Sequence, residues 1–121
     1  IQMNEEKVIN GEEGQEPIHV IDLGTARRGE VNEIFLGAFG RIIKMLMGSI
    51  FGSGTAIPVK IKGSPAEIKS FTSVMGREKR YMKTAAKYGL NDPRTYKDKF
   101  KLRKKVSDFE RKTGLKWPFK G

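Results

Sequence analysis

The residues best suited to chemistry in this sequence are lysines and arginines that recur at helical spacing in its C-terminal half. They fall on two predicted helices, one that begins near Ser64 and one that begins near Asp92. Positive side chains at this spacing can follow a phosphate backbone, because each one replaces a condensed counterion. The candidate phosphate-binding residues are Lys79, Arg80, Lys83, Lys87, Lys97, Lys101, Lys104 and Lys105.

The charge of the chain is segregated along its length. The net charge is +10, with residues 1–33 at −5 and residues 34–121 at +15. A basic segment of this kind is attracted to polyanions, which include nucleic acid, acidic protein and anionic membrane. We expect nucleic acid or an acidic protein as the partner, and the alternative is a solvated surface without a partner.

The sequence does not indicate an enzyme. It has no cysteine and a single histidine, His19, so neither a thiolate site nor a histidine cluster can form. Its acids are scattered among lysines and arginines, and no nucleophile lies in a motif that would activate it. We therefore predict no catalytic residue, no metal site and no cofactor, and no motif identifies a family.

The most apolar stretch, residues 31–52, predicts a long helix around which the other elements are arranged. Its glycines share one face with Glu33, Arg41 and Lys44, and charges inside such a helix argue against a membrane span. The glycines could allow close packing, or the apolar surface could be buried against another chain. The candidate interface residues are Phe35, Phe39, Ile43, Leu46 and Ile50, together with Trp117 and Phe119 near the C-terminus.

Two short strands are predicted on either side of this helix, at residues 18–23 and 56–62. In the second strand, Val59 and Ile61 are expected to face the core, while Lys60 and Lys62 face outward. Pro58 cannot donate a ladder hydrogen bond, so it predicts an edge strand.

Two C-terminal helices are predicted from their capping residues. Ser64 and Glu67 form a capping box at the start of the first helix, which ends before Gly89. Asp92 caps the second helix, which ends before Gly114. Its apolar residues are expected to face the core over one broad arc: Tyr96, Phe100, Leu102, Val106 and Phe109.

Two sets of aromatic residues each allow two interpretations. One set lies at the end of the chain, and the other lies near the turn between the last two helices. Trp117 and Phe119 are expected to fold back on the last two helices, or else to form a docking peptide for a partner. Tyr81, Tyr88 and Tyr96 either pack in the turn between the helices or stack on nucleic-acid bases.

The predicted fold class is α+β and mostly helical. A short two-stranded sheet has the long apolar helix between its strands, and two basic helices follow. Residues 1–17 are predicted to be an acidic disordered tail, which could also fold back on the basic half. Residues 18–121 are predicted to be a single domain.

The predicted function is non-catalytic, sequence-independent binding of the nucleic-acid backbone. The alternative is a structural or assembly subunit of a viral particle or another multi-copy complex, with residues 31–51 as an interface. We therefore expect a homo-oligomer or a component of a larger assembly. A cytoplasmic or virion-associated location is expected, because no secretory signal is visible.

Overall fold

The elements follow one another in the order predicted from the sequence, with one strand added at the start. The computed structural model describes residues 5–9, 19–50 and 59–119. Its elements are β1 (Glu5–Ile9), β2 (His19–Asp22), α1 (Glu33–Ile50), β3 (Val59–Gly63), α2 (Pro65–Tyr88) and α3 (Pro93–Thr113). The mostly helical α+β class is confirmed.

The chain divides into two compact units, residues 1–68 and residues 69–121. The boundary lies inside the continuous helix α2, four residues after it begins. The expected single domain over residues 18–121 therefore stays a prediction, and each unit is described by itself.

The first unit contains a sheet in the strand order β1-β3-β2. β2 and β3 are parallel, with Ile21 opposite Ile61, and α1 lies between them in sequence. Val59 and Ile61 are buried while Lys60 and Lys62 are half-exposed, as predicted. The edge position predicted for this strand is wrong, because β3 is central. Pro58 lies outside the described residues.

Strand β1 differs from the expected disorder of residues 1–17. Glu5–Ile9 pairs antiparallel with β3, and the rest of that stretch lies outside the described residues. Glu6 Oε2 lies 2.9 Å from Lys60 Nζ, and its Oε1 lies 3.6 Å from Lys62 Nζ. The hydrogen bond from Lys60 lowers the pKa of Glu6 despite a small opposing desolvation. Composition missed this strand because its stabilising partner is 50 to 58 positions away in sequence.

The turn after β2 is held by polar contacts to Asp22. Its carboxylate accepts the Gly24 N–H at 2.9 Å, and its carbonyl accepts the Thr25 hydroxyl at 2.7 Å. Arg28 Nη2 lies 2.6 Å from Asp22 Oδ2. Partial burial raises the pKa of Asp22, but the bonds from Arg28 and Gly24 outweigh it and leave that pKa lowered.

The capping box at the start of α2 forms as predicted. The Ser64 N–H donates to Glu67 Oε1 at 2.8 Å, and the Glu67 N–H donates to Ser64 Oγ at 3.2 Å. Arg27 Nη2 adds an ion pair of 3.4 Å to the same carboxylate, which is buried. One glutamate therefore starts a helix and anchors the turn that follows β2.

Helix α1 begins at Glu33, two residues later than the predicted start. Asn32 precedes it, and its side chain accepts the Phe35 N–H at 2.8 Å, which is an N-cap contact. None of the helices in the described ranges combines the length and apolar character that crossing a bilayer requires. The buried apolar residues of this unit are Ile21, Leu23, Phe39, Ile42, Ile43, Leu46, Val59, Ile61 and Ile68.

The second unit holds the rest of α2 and all of α3. Gly89 follows α2 with a φ of 90°, and Gly114 caps α3 with a φ of 74°. The Asp92 carboxylate accepts the Arg94 N–H at 2.9 Å, so both predicted ends of α3 are confirmed. The buried apolar residues of this unit are Phe71, Val74, Leu102, Phe109, Leu115 and Trp117.

Candidate nucleic-acid interface

The second unit carries more positive charge than the net charge of the whole chain. Residues 69–121 contain 17 lysines and arginines against five acids, a net charge of +12. Where these five acids lie decides how much of that charge faces solvent. Each of them contacts groups of its own unit.

Asp98 ties α3 to α2. The Thr84 hydroxyl donates to its Oδ2 at 2.6 Å, and Arg80 Nε lies 3.5 Å from its Oδ1. The Asp98 carboxylate is largely covered, whereas Arg80 stays mostly exposed. Arg80 is thus positioned by one contact while most of its guanidinium remains accessible.

Asp108 and Asp92 pair with cations on α3. Asp108 Oδ1 lies 2.7 Å from Arg111 Nη2, and its Oδ2 lies 3.2 Å from Lys112 Nζ. The bond from Lys112, followed by that from Arg111, lowers the pKa of Asp108. Asp92 caps α3 and pairs with Arg94 Nε at 2.9 Å, and this side-chain bond lowers its pKa.

Glu78 and Glu110 hold the C-terminal segment through Trp117. The Trp117 indole Nε1 donates to Glu78 at 3.3 Å, and the Trp117 backbone N–H donates to Glu110 at 2.9 Å. Burial raises the pKa of Glu78, with the Trp117 bond as a smaller opposing effect. The Trp117 ring packs edge-on against Phe71 and Phe109, with centroids at 6.2 and 5.5 Å.

The predicted phosphate-binding residues lie on the outside of this unit. Seven of the eight are exposed and Lys101 is half-exposed. Residues four apart on a helix are surface neighbours about 6 Å apart along the axis. Two rows of three lysines therefore result. They are Lys79, Lys83 and Lys87 on α2, and Lys97, Lys101 and Lys105 on α3.

A polar groove of about 370 Å³ brings Arg80 and Lys105 together from α2 and α3. Arg77 also lines it, a residue that the sequence-based site omitted. Gly76 leaves the groove open, since no described atom lies within 4 Å of where its Cβ would be. None of the described lining residues is acidic. The lining residues are Thr72, Ser73, Gly76, Arg77, Arg80 and Lys105.

The aromatic residues of α3 divide between the core and the surface. Phe109 and Leu102 are buried, but Phe100 is 61% exposed and Tyr96 is 55% exposed. The prediction that all five apolar residues of this arc face the core is therefore wrong for these two. At 100° per residue around the helix axis, the Phe100 side chain is 160° away from Leu102 and 180° away from Phe109. A core on one side of the helix therefore cannot cover all of these residues. That angular separation was available in the sequence.

The predicted interface residues of α1 are mostly in the core. Phe39, Ile43 and Leu46 are buried, and Phe35 is half-buried with its ring stacked 6.1 Å from that of Phe39. The first three therefore expose little surface to another chain, and their role in an interface stays a prediction. The Ile50 side chain lies outside the described part of the chain.

Other apolar side chains, at and just before the start of α1, face solvent. Ile34 is 83% exposed, and Leu36 and Val31 are also exposed. Gly37 and Gly40 have no described atom within 4 Å of a Cβ position, so the close packing expected at these glycines is not observed there. Among the described side chains of α1, the exposed large apolar ones are Ile34 and Leu36, near its N-terminal end.

The C-terminal interface candidates, Trp117 and Phe119, lie against the core of the second unit, and their role in an interface stays a prediction. Trp117 is 3% exposed and Phe119 is half-buried, with its ring 6.4 Å from the Trp117 ring. The C-terminal segment therefore folds back, which is the first of the two interpretations of these residues. Its anchors, Glu78 and Glu110, were missed because each lies far from Trp117 in sequence.

Comparisons with protein-family models, curated proteins and solved structures found no match for this chain. Within the described ranges, no group of three or more His, Cys, Asp and Glu residues is placed to hold a metal ion.

Proposed function

We propose that this chain is a non-catalytic nucleic-acid-binding protein that contacts the phosphate backbone through α2 and α3. The observation that carries the proposal is the groove that joins Arg77, Arg80 and Lys105, with hydroxyl groups from Thr72 and Ser73. Phosphate oxygens accept hydrogen bonds from all of these groups, and guanidinium groups bind them in a bidentate manner.

The remaining charge supports the same function. The acids of the second unit are engaged in capping, in ion pairs or in holding Trp117, so they do not neutralise the two lysine rows. Phosphate contacts of this kind carry no sequence information. Binding is therefore expected to be sequence-independent and to weaken steeply as salt displaces the protein from the backbone.

The test is the salt dependence of binding to a labelled mixed-sequence DNA duplex, measured by fluorescence anisotropy. The variant Arg77→Gln/Lys105→Gln removes two cations of the groove. It is expected to flatten the slope of log K against log salt by about 0.9 for each phosphate that the variant no longer neutralises.

The matched control is Arg41→Gln/Lys44→Gln. It removes the same net charge from exposed positions on α1, outside the second unit. The control is expected to leave the slope nearly unchanged. Absence of binding at low salt, or equal effects of the two double variants, would overturn the proposal.

A second candidate function is assembly into a multi-copy complex. The 83% exposure of Ile34 near the start of α1, with Val31 and Leu36 also exposed, favours it, because apolar surface that faces water is one mark of contact sites. Light scattering after size exclusion at high salt tests it. An oligomer that Ile34→Ser converts to a monomer would support assembly, and a monomeric parent chain would exclude it.

A further inference from the structure

The two exposed rings of α3 lie beside one of the lysine rows. Tyr96 and Phe100 are four residues apart, so they are neighbours on the helix surface. Each ring precedes a lysine of the row, Lys97 and Lys101 respectively. A row of aromatic rings therefore runs along α3 directly beside a row of ammonium groups.

The cations near these rings also contact ring faces. Lys104 Nζ lies 4.6 Å from the Phe100 centroid. Arg94, in the first turn of α3, has its Cζ 3.4 Å from the centroid of Tyr88, the last residue of α2, which places its guanidinium against that ring. Rings and guanidinium groups arranged in this way can stack with planar ligands that carry negative charge.

From this arrangement we infer that the protein prefers single-stranded over duplex nucleic acid, with bases stacked on Tyr96 and Phe100 and phosphates held by the adjacent lysines. The inference rests on the proposed phosphate binding and adds the strandedness of the ligand. In a duplex the faces of internal bases are already stacked on each other, so the rings would add no stacking interaction to the binding. In a single strand the base faces are accessible to aromatic side chains.

The competing explanation of the rings is a protein partner. A protein partner would bury the apolar area of these side chains, whereas a base would stack on the flat face of the ring. Phe100→Leu separates these possibilities because it keeps apolar area and removes the ring, and Phe100→Trp keeps a ring. Phe100 is exposed, so neither change is expected to disturb folding, which the emission of the buried Trp117 can verify.

The experiment measures binding of a 20-nucleotide oligo(dT), a 20-nucleotide oligo(U) and a 20-base-pair duplex at low salt by anisotropy. The parent chain is expected to bind the single strands at least about tenfold more tightly than the duplex. Phe100→Leu is expected to weaken single-strand binding roughly 5- to 150-fold, the range for one stacked base, and to leave duplex binding unchanged. Phe100→Trp is expected to retain it, and the two single strands distinguish DNA from RNA.

The outcomes separate this inference from the function on which it rests. If neither single strands nor duplex bind, the proposed function itself fails. If both bind but Phe100→Leu has no effect, or if the duplex binds as well as the single strands, phosphate binding stands and base stacking is overturned. Arg77→Gln/Lys105→Gln is expected to weaken single-strand and duplex binding together, which Phe100→Leu does not do.

Discussion

Glu78 is a buried carboxyl group that faces aromatic side chains. It accepts one hydrogen bond, from the indole of Trp117, and burial raises its pKa. An acid whose pKa is raised on folding contributes most to stability below its ordinary pKa. That contribution is lost as the pH rises through the folded-state value. At neutral pH, above the ordinary pKa of the group, the burial of Glu78 therefore lowers the stability of the segment that it holds.

Glu78→Gln tests this at the level of one residue. Glutamine retains an acceptor for the indole and cannot ionise, so the variant is expected to be more stable than the parent chain at pH 7. The gain is expected to shrink as the pH falls and the parent glutamate becomes protonated. Urea unfolding at several pH values, followed by Trp117 emission, measures the difference. Equal or lower stability of the variant at pH 7 would contradict the argument.

At the scale of elements, the helix boundaries depend on a few local contacts. Ser64 and Glu67 exchange hydrogen bonds at the start of α2, and Asp92 accepts an amide hydrogen bond at the start of α3. Each contact satisfies an amide that has no partner within the helix. Because the residues involved are within three positions of each other, such contacts are visible in the sequence.

Ser64→Ala is expected to lower the free energy of unfolding by about 1 kcal/mol, the usual cost of losing an N-cap side chain. Ser107→Ala is the control, because Ser107 is exposed in the interior of α3 and caps nothing. The control is expected to be neutral or slightly stabilising, since alanine favours helix. Denaturant unfolding compares the two variants, and equal effects would show that the cap contributes nothing.

The features that sequence reasoning missed depend on distant contacts. β1 pairs with β3 across 50 to 58 positions, and this pairing also turns a predicted edge strand into a central one. The groove exists because α3 brings Lys105 beside Arg77, and composition does not reveal that proximity. The two lysine rows, by contrast, follow from helical spacing alone. Local sequence patterns thus predict secondary-structure elements and charged helix faces. Contacts between residues that are distant in sequence decide which strands pair and which helix surfaces meet.

At the scale of the whole molecule, ionised carboxylates offset part of a large positive charge. Four of them have lowered pKa values in the folded state: Glu6, Asp22, Asp92 and Asp108. Such groups contribute stability above their ordinary pKa and lose it as the pH falls through the lowered value. Protonating them also raises the net charge above +10, which adds repulsion.

The chain is therefore expected to lose stability as the pH falls below about 4, where these carboxyl groups begin to take up protons. Added salt is expected to recover part of the loss by screening the repulsion. Thermal unfolding by circular dichroism from pH 7 to pH 2, with and without added salt, checks both effects. A melting temperature that does not change over this range would contradict the role of these carboxylates.

The central position of β3 also sets an order of events during synthesis. In the described sheet, β1 and β2 have backbone partners only in Val59–Gly63, and the register joins β1 residues to partners 50 to 58 positions later. The ribosome therefore releases both N-terminal strands, and all of α1, before any strand can pair. Closing such long loops is slow. Until translation has passed Gly63, the nascent chain contains its most apolar helix without a completed sheet. Folding of the sheet in the first unit therefore begins only when the second unit is already being made.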